Sequence, residues 1–251
     1  MESIAWKTKR IGELVDENHV RAYVLFYFGI RFFDYADLTL EQVCEQKSLR
    51  IEQVIKELQS PSHIQENDLP LMSYPIDLII EYLKHAHFVF IKRKLPYMGG
   101  LIENFHAQHN DYLIIEKDLK TVFPLFVEDF IHHIYEEEDT LFSYIRALQR
   151  AEKGQYNPTR LFYQLEKNSL RHFASEHEAH DDEMEGIRKI THEYATNVET
   201  PLHIKVLYNE LKDFEKNLIL HARIENEILF PKAMALENKV KQRYFERAKW
   251  N

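Results

Sequence analysis

The chain of 251 residues carries 32 Lys+Arg against 41 Asp+Glu, a formal net charge of −9, with 45% hydrophobic and 29% charged residues. That composition belongs to a globular chain of one to two domains rather than a disordered one, and its acidic balance argues against a broad phosphate-binding face, so no nucleic-acid partner is expected. A single cysteine, Cys44, excludes a disulfide framework, a Cys-rich zinc site and an iron–sulfur cluster held within one chain.

In chain order, residues 1–58 read as several short helices forming a small N-terminal domain. Tyr23, Val24, Tyr27 and Phe28 repeat at helical spacing until Gly29 stops them. Thr39 and Gln42 make a capping box, and Ile51, Ile55 and Leu58 form the next apolar stripe. Residues 59–75, polar and rich in proline, read as a linker. Residues 76–251 change to long helical patterns. The first runs over about 76–105, with Pro96 expected to kink it, and the second over about 112–151, with Pro124 inside it. The third runs from Pro158 to about Tyr194. The fourth has Thr200 as its cap and Pro201 at its first position, and reaches about Leu229, where Pro231 is expected to bend or interrupt it before a shorter tail helix. Nothing reads as a strand. The fold expected is all-α: an up-down-up-down four-helix bundle preceded by the small helical domain.

No run reaches about 18 apolar residues, so no membrane span is expected. The N-terminus lacks the apolar core of a signal peptide, which makes the expected location cytoplasmic. Only 6 glycines disfavour Rossmann-type and phosphate-loop chemistry, while 14 histidines crowd the last two-thirds of the chain.

The seam of the bundle carries those histidines. In the fourth helix Leu207, Leu211, Phe214 and Leu218 step by four and three, and the same rhythm continues to His221, Glu225 and Ile228. In the second helix Phe126, Phe130, His133, Glu137, Leu141 and Tyr144 do the same. The two segments form a weak internal repeat, His-x3-Glu-x3-Leu-Phe, from His133 and again from His221. The first helix places His87 on its stripe of Ile76, Ile80, Leu83 and Phe90, whereas His85 faces elsewhere. In the third helix Phe173, His177, His180, Met184 and Ile187 share a face, and phase does not choose between the two histidines.

A lone histidine on an apolar face is commonly a hydrogen-bonded core residue. The pairs His132/Glu136 and His172/Glu176 lie off the seam and read as solvated. A seam histidine from each of four helices, with two seam glutamates, is a different case, because unpaired buried carboxylates are costly. A bound cation resolves that cost. Nitrogen and carboxylate donors without thiolate suit iron, manganese or zinc rather than calcium or magnesium. Six protein ligands exceed what one open catalytic zinc uses. Two metals about 3.5–4 Å apart, bridged by the carboxylates, fit the count and would leave room for O2, NO or peroxide.

At this point the sequence resembles the hemerythrin-like, HHE cation-binding bundle, and more closely the RIC family of di-iron proteins for repair of iron centres. The segments His133-Ile-Tyr-Glu-Glu137-Glu-x2-Leu-Phe and His221-Ala-Arg-Ile-Glu225-Asn-Glu-Ile-Leu-Phe-Pro carry the likeness, with Glu178-Ala-His180-Asp-Asp-Glu-Met-Glu-Gly-Ile187 from the third helix. The resemblance implies His87, His133, Glu137, His180, His221 and Glu225 as ligands, with His177 the weaker alternative to His180. It implies two non-haem irons, bridged by an oxygen or by carboxylate, and no catalytic residue beyond the metal centre. The spacing from His87 to Pro96 is one residue longer than in the family. The N-terminal region resembles the family's short helical domain, but its Cys-Cys pair is replaced by Phe33-Asp34 after Gly29-Ile30-Arg31-Phe32, and Cys44 reads as a buried structural thiol.

The function implied is repair of iron–sulfur clusters damaged by nitrosative or oxidative stress. The protein would act as iron donor or NO-reactive centre, with damaged iron–sulfur proteins as acceptors. The alternatives are an O2- or NO-binding carrier or sensor, and a di-iron NO or peroxide reductase. The acidic run Glu136–Asp139 reads as a solvated face apart from Glu137, and Tyr135 and Tyr144 as core packing beside the site, with a hydrogen bond to a metal ligand as the alternative. His106 and His109 read as surface residues. A homodimer through the N-terminal aromatics is compatible with a sequence that carries no decisive interface signal.

Overall fold

Short apolar repeats closed by turn residues dictate short helices at the N-terminus. The computed structural model describes residues 2–18, 20–59, 71–106, 110–167, 169–179 and 182–249. Most of the expected linker, with His109 and His180, lies outside the described residues, as does the side chain of His177. The first helices are α1 (Glu2–Thr8), α2 (Ile11–Glu17), α3 (Val20–Tyr27), α4 (Leu40–Gln46) and α5 (Ile51–Gln59). The capping box forms: Gln42 N–H donates to Thr39 Oγ1 at 3.3 Å, and Thr39 N–H donates to Gln42 Oε1 at 2.9 Å. Two amides left open by the helix start are thereby satisfied. Gly29 ends α3 with φ 74°, a left-handed conformation that glycine adopts freely, and Ile30 N–H reaches back to the Leu25 carbonyl at 2.9 Å. The buried face of α3 is Ala22 and Leu25, and Tyr27 of the expected repeat is exposed. Since α3 packs on α2 and α5, close approach favours the small and aliphatic residues and leaves the large rings at the flanks.

The long patterns become three helical rods, each interrupted by a π turn. The first is α6 (Ile76–Val89), a π turn over Phe90–Lys94, and α7 (Leu95–Glu103). The second is α8 (Asn110–Glu136), a π turn over Glu137–Phe142, and α9 (Ser143–Glu152). After the third pattern, described below, the last rod is α13 (Leu202–Ile224), a π turn over Glu225–Leu229, and α14 (Phe230–Lys249). Proline removes one backbone donor and pushes on the carbonyl four residues back. A π turn, with bonds from i to i+5, displaces that carbonyl. Pro96 and Pro231 each follow a π turn by two residues, and the helix continues past both. The expected interruption at Pro231 is therefore absorbed, and the tail helix is the 20-residue α14. Pro124 sits within an unbroken α8.

Two expectations fail here. The third pattern is not one helix but α10 (Pro158–Lys167), α11 (Leu170–Ala179) and α12 (Glu185–Ile190). Ser169 starts a new helix by accepting the His172 amide on its carbonyl at 3.0 Å and on its hydroxyl at 3.4 Å. Beyond α12, His192, Glu193 and Tyr194 have φ of 51°, 60° and 57°, which no right-handed helix continues. Thr200 does not cap α13. Its hydroxyl accepts the Asn197 amide at 2.8 Å and bonds Asn197 Oδ1 at 3.0 Å, while the Pro201 carbonyl takes the Ile204 amide.

No strand forms among the described residues, and the fold is all-α. One isolated antiparallel bridge joins Arg10 and Thr39. No described helix is long and apolar enough to cross a membrane. The chain divides into two compact units, residues 1–69, 96–120 and 188–213 in one, and 70–95, 121–187 and 214–251 in the other. The second unit holds a core of Ile79, Ile80 and Leu83 from α6, Ile145 and Leu148 from α9, and Phe230 and Ala233 from α14. Within this unit α9 and α11 pack on α14.

Candidate metal centre

Four seam residues of the second unit converge. His87, Glu137, His221 and Glu225 each offer one ligand atom, and these atoms lie within 4.8 Å of one another. They form the metal-binding arrangement found among the described residues. His87 comes from the last turn of α6 and His221 from the last turn of α13. Glu137 and Glu225 are the first residues of their π turns. π turns recur at functional sites because the extra residue re-aims side chains without ending the helix. The π turn at Phe90–Lys94 lies between His87 and Pro96.

Burial is nearly complete: exposure is 2% at His87, 7% at Glu137 and 0% at Glu225. His87 Nε2 lies 3.1 Å from His221 Nε2 and 3.5 Å from Glu137 Oε2, and His221 Nε2 lies 3.2 Å from Glu225 Oε1. Phe142 stacks on the His87 ring at 5.8 Å, and Phe90 meets the His221 ring edge-on at 5.7 Å. Phe130 and Phe214 pack behind Phe90. These rings exclude water and strengthen every charge interaction inside.

The electrostatics call for a cation. Burial pushes the Glu137 carboxyl well above the usual carboxylate range, and the facing Glu225 reinforces it by charge and hydrogen bond, with Glu138 and Glu183 adding their charge. Burial, then the neighbouring His221, holds His87 down to about 4, so the ring is neutral and its lone pair is available. Glu137 Oε1 and His221 Nδ1 are buried with no hydrogen-bond partner. Two nitrogens and two carboxylates, converging in an apolar shell with partnerless polar atoms, fit a transition-metal ion such as iron, manganese or zinc.

The other predicted ligands stand differently. His133 is half-buried one turn before Glu137 and is not one of the four. His180 and the His177 side chain lie outside the described residues. His132 and His106 have side chains 80% exposed, and His172 and His85 are exposed, as their helical phase implies. Tyr135, expected to pack, is 54% exposed. Tyr144 is buried, but its hydroxyl donates to Glu237 Oε1 at 2.6 Å. The acidic run hides a residue that sequence phase missed: Glu138 Oε1 lies 2.9 Å from His87 Nδ1, and Glu138 Oε2 lies 3.0 Å from Lys84 Nζ. Cys44 is buried, and burial raises its thiol. In the first unit, where the family carries its thiol pair, Phe32 and Phe33 pack on His203, with ring centroids 5.9 and 5.3 Å from it.

No protein-family model matches the chain. Full-chain comparison finds similar proteins. A probable iron–sulfur cluster repair protein of Haemophilus influenzae is 25% identical over 205 residues, covering 78% of this chain and 82% of the relative. The iron–sulfur cluster repair protein ScdA of Staphylococcus haemolyticus is 20% identical over 88% of this chain and 96% of its own. The iron–sulfur cluster repair protein YtfE of Escherichia coli is 23% identical over 93% of this chain and 100% of its own. With relatives of one kind aligned over most of its length, and a buried His/Glu cluster that could hold a metal, the chain is similar to the iron–sulfur cluster repair proteins.

Proposed function

We propose that this protein binds iron and serves the repair of iron–sulfur clusters damaged by nitrosative or oxidative stress. The observation that carries the reading is the buried pair Glu137 and Glu225 facing each other between His87 and His221. Names of relatives aligned over most of the chain support the same role. In this reading residues 76–251 form the four-helix bundle, residues 1–58 the accessory helical domain, and the site holds two irons. His133 and His180 would complete the six-ligand set with His87, Glu137, His221 and Glu225. Bound iron would supply redox chemistry toward NO, O2 or peroxide and a labile ion for damaged clusters. The residues contribute neutral imidazoles, carboxylates that replace the proton demanded by burial, and an aromatic shell that keeps water out. The proposed place of work is the cytoplasm, and the proposed acceptors are damaged iron–sulfur proteins.

The test is elemental analysis of protein expressed with iron and desalted under nitrogen, followed by transfer to an apo iron–sulfur enzyme. About two irons per chain and chelator-sensitive reactivation are expected. No retained iron after reconstitution would overturn the reading. Two irons that never reach the acceptor, but that reduce NO to nitrous oxide over many turnovers, would replace repair by an NO reductase.

A further inference from the structure

Neighbouring glutamates on one π turn address both nitrogens of one imidazole. Glu137 Oε2 lies 3.5 Å from His87 Nε2, and Glu138 Oε1 lies 2.9 Å from His87 Nδ1. Lys84, nearly one turn before His87 on α6, holds the other oxygen of Glu138 at 3.0 Å. Side-chain exposure rises along this chain, from 2% at His87 to 22% at Glu138 and 36% at Lys84, so it runs from the metal centre toward solvent. A neutral imidazole carries one proton on one of its two nitrogens. A carboxylate at Nδ1 draws the proton there and leaves the Nε2 lone pair facing His221 and Glu137. The second histidine of the four-residue cluster has no such anchor, because His221 Nδ1 is buried without a hydrogen-bond partner.

We propose that Glu138 is a positioning residue, braced by Lys84, that holds His87 in its ligating tautomer and orientation and so sets how long the centre retains its metal. This rests on the metal-binding reading above. For a protein that hands iron on, His87 is then the ligand whose release is governed from the surface.

The test uses the full chain loaded anaerobically with Fe(II), with the rate of capture by a colorimetric chelator as readout. Glu138→Ala is expected to weaken metal retention about 10–100-fold while the helical circular dichroism stays unchanged. Glu138→Gln keeps an oxygen at the same reach and is expected to recover most of that loss. Lys84→Met should give a smaller increase in capture rate, and Glu136→Ala, 65% exposed, none. A second readout is the proton spectrum of the Co(II)-loaded chain. One exchangeable, paramagnetically shifted imidazole N–H should broaden away in Glu138→Ala and return in Glu138→Gln. If the wild type retains metal but Glu138→Ala releases it at the wild-type rate with that N–H intact, the positioning role is overturned and the metal site stands. If Glu138→Gln releases metal as fast as Glu138→Ala, orientation is overturned in favour of charge alone. If the wild type retains no metal, both readings fall.

Discussion

At Glu225 no side-chain surface meets water, and Glu137, itself only 7% exposed, faces it. Two carboxylates in that position need a proton or a cation between them. Glu225→Ala and Glu137→Ala are therefore expected to cut metal affinity by about 10-fold or more, read as metal per chain after desalting. His132→Ala and His172→Ala are expected to leave metal content unchanged. Loss of metal in His132→Ala but not in His133→Ala would show the helical phase to be wrong by one residue. A second buried network stands apart from the metal: Tyr144 donates to Glu237 at 2.6 Å, and Lys241 holds the other oxygen of Glu237 at 2.9 Å. Tyr144→Phe takes one donor from a buried carboxylate and should cost about 1–3 kcal/mol, measured by urea unfolding, with metal content kept.

On the scale of helices, the π turns explain what periodicity could and could not reveal. His221 and Glu225 were legible because they continue a four–three apolar rhythm up to the first residue of a π turn. Glu138 was not, because adjacent residues of an α-helix point about 100° apart, which assigns it to the solvated face once Glu137 is on the seam. A π turn narrows that angle and lets both side chains reach His87. Proline kinks a regular α-helix, but Pro96 and Pro231 each follow a wider turn, and the helix continues past both. Glu137–Phe142 has no following proline, so proline is not the sole origin of these turns. A π turn is one residue inserted into an α-helix. Deleting the exposed Lys92 should therefore close the Phe90–Lys94 turn into regular helix and leave the flanking faces in register. Deleting the exposed Glu128 from α8 should rotate the following seam by about 100°. In the first deletion Pro96 meets the carbonyl of a regular helix, so thermal stability is expected to fall while the seam keeps its phase; in the second, metal content is expected to be lost.

For the whole molecule, metal binding is expected to couple to the fold through Glu137 and His87. In the metal-free chain Glu137 stays protonated above 4.5, where its unfolded counterpart ionises, so its contribution to stability falls as pH rises toward its raised folded value. His87, depressed to about 4 from 6.5, acts oppositely: its contribution is lost as pH falls from 6.5 through about 4 and is constant above 6.5. Above 6.5 only the Glu137 effect remains. A bound cation replaces that proton and removes the loss. Chelation is therefore expected to lower Tm, and the gap between loaded and stripped protein to widen as pH rises above 6.5, read by calorimetry at matched ionic strength. A gap that narrows over this range would show that Glu137 does not carry the coupling.

Local spacing suffices for the helical class, the seam phase of three helices, the capping box at Thr39 and the four residues that converge, because each depends on near neighbours or on one face of one helix. Tertiary structure alone decided that the third pattern breaks into α10, α11 and α12, that Thr200 turns to Asn197, and that Tyr144 answers Glu237 rather than the metal centre. It also decided that Glu138, braced by Lys84, reaches His87. Those outcomes depend on hydrogen-bond partners and distances between helices, and the angle at which two helices present their side chains is not written in the period of either one.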